Sequence, residues 1–236
     1  SHLWVDFRGL QDKFMREHGS DYFLNSGAGA RVQQRYAMRN PRRHAMYGEF
    51  CWGITASDGP GSSRGRGQAE PAFFDYVARG VPDGPDDGTL APWAVVASLP
   101  FAPEIVLPTI AHYRHIQLHV ANPYGFKASF NPSYPGDRRH PLGWVSPYHF
   151  GINEGPTVVM IENHRSAMPW TLMRACAPLV AGLRRAGFTG GWLDAIPRAV
   201  EAAPPAALAP PEAFDPPTPP LQTAVSQSTR TPGTSP

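Results

Sequence analysis

The distribution of proline constrains this chain more than any other feature. Proline occurs 28 times in 236 residues, more than twice the roughly 5% of an average protein. Each proline fixes φ and lacks an amide hydrogen, so it starts, ends or kinks a helix and fits poorly in a central strand. The most apolar stretch, residues 90–111, is cut by Pro92, Pro100, Pro103 and Pro108. No run reaches the roughly 18 apolar residues of a membrane-spanning helix. Short helices joined by loops are the expected solution.

The composition changes sharply near residue 199. Residues 1–190 mix aromatic, apolar and polar side chains as a folded domain does. Residues 202–236 hold ten prolines and a single aromatic, Phe214. That segment has too little apolar area to offset its chain entropy, so 199–236 is expected to be a disordered Pro/Ala/Ser/Thr-rich tail. Over the whole chain the hydrophobic share is 42% and the aromatic share 11%, enough for a sizeable core. The net charge of +2 is too small for a nucleic-acid footprint. Cys51 and Cys176 make no disulfide framework; they are free buried thiols or a single bridge. Ser1 runs straight into amphipathic sequence with no charged start and apolar centre. A signal peptide is therefore not seen, and the chain is expected to be the interior of a longer one.

The apolar spacing within 1–190 is mostly helical. Phe7, Leu10, Phe14 and Met15 predict a helix ending near Gly19. Asp21 can cap a second, running from Tyr22 to Met38 and stopped by Pro41. Thr89 is a candidate cap for a helix carrying Trp93, Val96 and Leu99. Pro103 suits the first turn of the next, with Ile105, Val106, Thr109, Ile110 and Tyr113 on one face. Pro156 is expected to start another, Pro169 or Pro178 to divide the helical stretch beyond it, and Gly187 to end that stretch. Loops 50–86 and 120–152 are long enough to suggest function. The fold class is all-α, with chemistry on loops at helix ends.

Four clusters could carry chemistry. In Tyr47-Gly48-Glu49-Phe50-Cys51-Trp52 and on to Asp58-Gly59-Pro60, two carboxylates lie beside aromatic rings. Glycoside chemistry needs one acid that protonates the leaving oxygen and a second that stays ionised; aromatic faces cover the apolar side of a sugar. A plain turn at Asp58-Gly59-Pro60 is the alternative. The acids of Asp83-Gly84-Pro85-Asp86-Asp87-Gly88-Thr89 lack the EF-hand spacing; they suit a turn and helix cap, or bonds to sugar hydroxyls. Glu162 follows an apolar run and has Arg165 as its natural partner. His112, His115 and His119 share helical spacing, but without a cysteine or carboxylate partner they read as an exposed helix face, so no metal is expected. Neither a phosphate loop nor a dinucleotide fingerprint is present, and no cofactor is expected. Gly61–Gly67 reads as a mobile basic loop.

Taken in order, these blocks resemble the bacterial glucoamylase-like domain family. The resemblance is carried by Tyr47-Gly48-Glu49 with Trp52-Gly53-Ile54-Thr55-Ala56-Ser57-Asp58-Gly59-Pro60, and by Asp86-Asp87-Gly88-Thr89-Leu90-Ala91-Pro92. Tyr124-Gly125-Phe126 adds to it, as do Gly151-Ile152, Gly155-Pro156 and Met160-Ile161-Glu162-Asn163. It covers residues 1–188 and implies a partial (α/α)6 toroid whose N-terminal helices would precede Ser1. It also implies action on β-glucan, endo-β-1,2-glucanases and a transglycosylase among the relatives, and a periplasmic or secreted setting. Carried over, Glu49 and Asp58 are the catalytic candidates; Tyr47, Trp52, Asp86, Asp87, Phe126 and Glu162 would bind substrate. The partner is an oligo- or polysaccharide. Two departures stand out: Lys127-Ala128-Ser129 lacks the acid often found after Phe126, and Asn153-Glu154 replaces Asp-Gln; the absent acid at Ala128 makes a non-catalytic, degenerate glucan-binding protein the alternative to a hydrolase or transglycosylase.

Overall fold

A computed structural model describes residues 1–61, 73–120, 124–135 and 142–197. The expected tail, 199–236, and most of the Gly61–Gly67 segment lie outside the described residues. Eight helices occur among the described residues: α1 (Lys13–Glu17), α2 (Tyr22–Arg39), α3 (Pro92–Ala97), α4 (Pro103–His115), α5 (Gly151–Arg165), α6 (Met168–Arg174), α7 (Ala177–Arg185) and α8 (Gly191–Asp194). The class is all-α, as the proline punctuation suggests. One two-stranded antiparallel ribbon, β1 (Phe130–Asn131) and β2 (Trp144–Val145), pairs Phe130 with Val145 and Asn131 with Trp144.

The strongest local signals set the longest helices. The Asp21 side chain accepts the Leu24 amide at 2.8 Å, so α2 starts where a cap was expected. It ends at Asn40, whose left-handed φ of 43° precedes Pro41. Pro103 occupies the first turn of α4, and Val106, Thr109 and Tyr113 form its buried face. Pro169 and Pro178 sit in the first turns of α6 and α7.

Three expectations are corrected. The first helix does not extend over Phe7–Met15. Asp12 caps a five-residue α1 instead, and Phe7 and Leu10 enter the core from turns. Thr89 caps no helix: α3 starts after Ala91, and the Thr89 amide donates to Asp87 while its hydroxyl accepts from Asn131. Helix α5 begins at Gly151, not Pro156; the Asn153 and Glu154 amides both turn back to the Phe150 carbonyl. Pro156 therefore lies inside the second turn.

The apolar faces gather in two clusters. The larger joins Trp52, Leu90, Val95, Leu99, Val106, Tyr113 and Phe130, with α3 packed between α4 and α5. The smaller joins Val5, Phe7 and Leu10 to Val180, Leu183 and Leu193, tied by a bridge between Gln11 and Thr189. Cys51 is buried and Cys176 half-buried; both are free thiols. Burial pushes the Cys51 thiol up to about 12. Among the described residues no helix is long and apolar enough to cross a membrane.

Candidate active site

The segment between α2 and α3 carries most of the acids singled out by sequence. It starts with a tight turn in which Gly48 and Cys51 exchange backbone hydrogen bonds at 3.2 and 3.3 Å. Gln34 of α2 donates to the Glu49 carbonyl at 2.8 Å, and Gln33 accepts the Ile54 amide at 2.8 Å. The turn is thereby fastened to α2 while the Glu49 and Phe50 side chains stand exposed at its tip. Beyond it, Gly53 adopts φ of +115°, and a Cβ there would lie 2.6 Å from Val95 Cγ2. Only glycine lets the loop approach α3 so closely.

Asp58 is buried, and both of its carboxylate oxygens accept serine hydroxyls, Ser129 on one and Ser146 on the other. Ser129 also donates to the Asp58 carbonyl at 2.9 Å. These serines flank the ribbon, Ser129 just before β1 and Ser146 just after β2, and the Ser146 amide donates to the Ser129 carbonyl at 2.9 Å. The ribbon thus clamps a carboxylate from a loop about 71 residues earlier with hydroxyls rather than a cation.

Asp86 and Asp87 serve two separate buried networks. Asp86 accepts the hydroxyls of Tyr47 at 2.7 Å and Tyr36 at 2.9 Å, and the Gly88 amide at 3.2 Å. His44 Nε2 lies 3.4 Å from the same carboxylate, near enough for an ion pair but not aimed to hydrogen-bond. Burial pushes the Asp86 pKa up, but the His44 contact and the tyrosine hydroxyls outweigh it and hold the group at about 2. Burial and the charge of Asp86 push the Tyr47 hydroxyl far above its ordinary value. Asp87 faces Arg79, whose side chain is 0% exposed. The guanidinium binds it in a fork, Nε and Nη2 each at 2.8 Å, and Arg79 further donates to the carbonyls of Ser57, Phe74 and Asp75. Against the cost of burial, that fork holds the Asp87 carboxyl below its usual range.

Asp86 sets a pH dependence of stability. A carboxyl with a folded pKa below its unfolded value of about 3.9 stabilises the fold above that value and loses the contribution as pH falls through the folded one. The urea midpoint of the wild-type chain is expected to fall between about pH 4 and about pH 2, and the Asp86→Asn variant to show a flatter slope over that window. Equal slopes would mean that the network does not hold the carboxylate ionised.

These placements revise several expected roles. Trp52 does not line a cleft: it is 1% exposed, its indole donates to Thr109 at 2.9 Å, and Tyr113 bonds its carbonyl. Its ring lies in the larger core and has no free face for a sugar. Tyr47, Asp86 and Asp87 are likewise buried, their polar atoms spent on one another and on Tyr36, His44 and Arg79. Phe126 is half-buried and meets Tyr113 edge-on with centroids 5.8 Å apart. Glu162 lies in the last turn of α5, paired with Arg165 at 3.2 Å and Ser166 at 2.5 Å. Among the described residues no group of three or more His, Cys, Asp or Glu is placed to hold a metal; His112 and His115 lie on α4 and His119 beyond its end. Sequence reasoning did not single out Arg79, Ser129 or Ser146. Each is a lone polar residue between apolar neighbours, with its partner distant in sequence or hidden among turn residues.

The helices of this chain form part of an (α/α)6 fold, the class of the solved structures it matches. The family described as Putative glucoamylase matches residues 1–177, and the chain belongs to that family. The exo-β-1,2-glucooligosaccharide sophorohydrolase (non-reducing end) of Parabacteroides distasonis is 31% identical over 186 residues, 78% of this chain and 22% of that protein. A crystal structure of a putative glucoamylase from Bacteroides uniformis matches with TM-score 0.66 and 33% identity, covering 82% of this chain and 40% of that one. The endo-β-1,2-glucanase of Chitinophaga pinensis, solved with sophorotriose and glucose, matches with TM-score 0.63 and 26% identity over 80% of this chain and 39% of its own. The chain therefore spans less than half the length of each of these relatives.

Proposed function

We propose that this chain carries part of the active centre of a glycoside hydrolase acting on β-1,2-linked glucan, in a periplasmic or secreted setting. The observation that supports this most is its kinship with an exo-acting and an endo-acting β-1,2-glucan hydrolase. Glu49 is the proposed general acid. Of the four acids Glu49, Asp58, Asp86 and Asp87, it is the one that combines exposure, a rigid mount on α2 and no side-chain or ion-pair partner among the described residues. A bound glucan would cover it and exclude water from the reacting bond. The carboxyl proton passes to the glycosidic oxygen as the bond from that oxygen to the anomeric carbon breaks, and water, giving up a proton to a second carboxylate, supplies the hydroxyl of the new reducing end.

Asp58 is the proposed second carboxylate. A carboxylate has about four acceptor sites, and the two serine hydroxyls leave others for a water or a sugar hydroxyl. Phe126 and Glu162, both half-buried, extend the proposed substrate surface. Incubating the full-length protein with linear β-1,2-glucan and separating the products by chromatography tests the reaction. Shorter oligosaccharides alone are expected. Longer or cyclic products would replace hydrolysis with transglycosylation, and unchanged glucan would remove the reading.

A further inference from the structure

The segment that leads from α2 into the Glu49 turn is held in an unusual backbone conformation. Of the five non-glycine residues with left-handed φ among the described residues, three lie within 40–46: Asn40 at 43°, Arg43 at 56° and Met46 at 65°. Such conformations persist where the surroundings impose them, and they gather at active sites. The anchors here are specific. The Asn40 side chain brackets His44, accepting its amide and donating to its carbonyl, each at 2.7 Å. The Ala45 amide donates to Ser133 Oγ at 2.8 Å. The His44 ring is wedged between Tyr47, edge-on with centroids 5.0 Å apart, and Gly88, where an added Cβ would lie 2.9 Å from Nδ1.

That ring faces a buried carboxylate held by neutral donors. Asp86 Oδ1 accepts the Tyr47 hydroxyl and the Gly88 amide, and Oδ2 accepts Tyr36. Arg42 donates to the Asp86 carbonyl rather than to its carboxylate, at 3.3 Å, and Arg79 is engaged by Asp87. The His44 side chain is 14% exposed, and its Nε2, 3.4 Å from Oδ1, has no hydrogen-bond partner. A neutral imidazole leaves that nitrogen unmatched. An imidazolium can donate from it, and a charge-assisted bond of this kind closes to about 2.7–2.9 Å. Between about pH 5 and 8, histidine is the side chain that ordinarily changes charge; Asp86 stays ionised and the two tyrosines neutral across that range.

We propose that His44 is a positioning residue for Glu49: its protonated ring donates to Asp86 and fixes the orientation of that carboxylate, and with it the Tyr47 hydroxyl two residues before Glu49. Gln34 fastens the turn from α2 through the Glu49 carbonyl; the Asp86 network fastens it from the other side through Tyr47. Asn40 holds the His44 backbone in place, so the imidazole can act as a strut rather than swing away. The role rests on the reading of Glu49 as general acid. It adds a proton-dependent control of the turn, separate from the titration of Glu49 itself.

His44→Phe in the full-length protein keeps the ring beside Tyr47 but takes up no proton. The ratio of wild-type to variant kcat on linear β-1,2-glucan is expected to rise about tenfold from pH 8 to pH 5, since small displacements of a catalytic group are costly, while the ratio of KM values stays flat. A purely structural role would lower kcat by the same factor at every pH. His44→Gln, which keeps a donor without a charge, gives the same trend and serves as the second variant. Thermal melts of His44→Phe, Asp86→Asn and the double variant read the pair without turnover: their losses are non-additive by about 3 °C at pH 5 and additive at pH 8. A kcat ratio that does not move with pH, or melts that add at both values, overturns the role of His44 while glucan is still cleaved. Non-additive melts in a protein that cleaves no glucan overturn the hydrolase reading, and the positioning role with it.

Discussion

Replacing Glu49 with Gln is expected to lower the rate of reducing-sugar release from β-1,2-glucan by about 10² to 10⁴, the usual contribution of a general acid. Glutamine keeps the shape and the Gln34 bond to the residue 49 carbonyl but has no proton to give. The side chain makes no described internal contact, so thermal stability should move by less than about 0.5 kcal/mol, as for an exposed substitution. The two readouts separate chemistry from folding: circular dichroism melting stays fixed while turnover collapses. Substrates with a better leaving group, such as aryl glycosides, should be less affected because they need less protonation. A Glu49→Gln chain that releases sugar at the wild-type rate would remove Glu49 from the mechanism and move the search to acids outside this turn.

Breaking the Arg79–Asp87 pair should give the largest loss of stability. Both side chains are essentially excluded from solvent, and Asp87 further accepts the Phe74 and Thr89 amides. Asp87→Ala leaves a guanidinium in the interior with no counter-charge, which typically costs about 3–5 kcal/mol. Total stabilities run to about 5–15 kcal/mol, so the melting temperature should drop by roughly 6–20 °C. The double change Arg79→Met with Asp87→Leu should be less damaging than Asp87→Ala alone, since it removes the unpaired charge together with its partner. Thermal melts of the three chains decide the point. A loss below about 1 kcal/mol for Asp87→Ala would mean that water reaches the guanidinium.

Legibility from sequence tracks the range of the interaction. Helices α2 and α4 are readable because Asp21 and Pro103 act within a turn of themselves. Helix α5 is expected five residues late, because Pro156 is the louder signal, whereas the true start at Gly151 depends on the Phe150 carbonyl. Strands of two residues, such as Phe130–Asn131, have no periodicity to detect; their existence is a tertiary matter. The same limit governs the site. Asp58, Asp86 and Asp87 are visible as acids near aromatic residues, but that pattern looks alike whether the carboxylates face a ligand or one another. The deciding factor is the set of partners elsewhere in the chain: Ser129 and Ser146 for Asp58, Tyr36 and Tyr47 for Asp86, Arg79 for Asp87. Trp52 is misplaced by sequence for the same reason, its acceptor being Thr109 on α4.

Because Asp58 is gripped from both arms of a two-rung ribbon, the pairing of the strands decides its surroundings. A one-residue slip in either arm would turn Ser129 or Ser146 to the opposite face and leave one carboxylate oxygen without its hydroxyl.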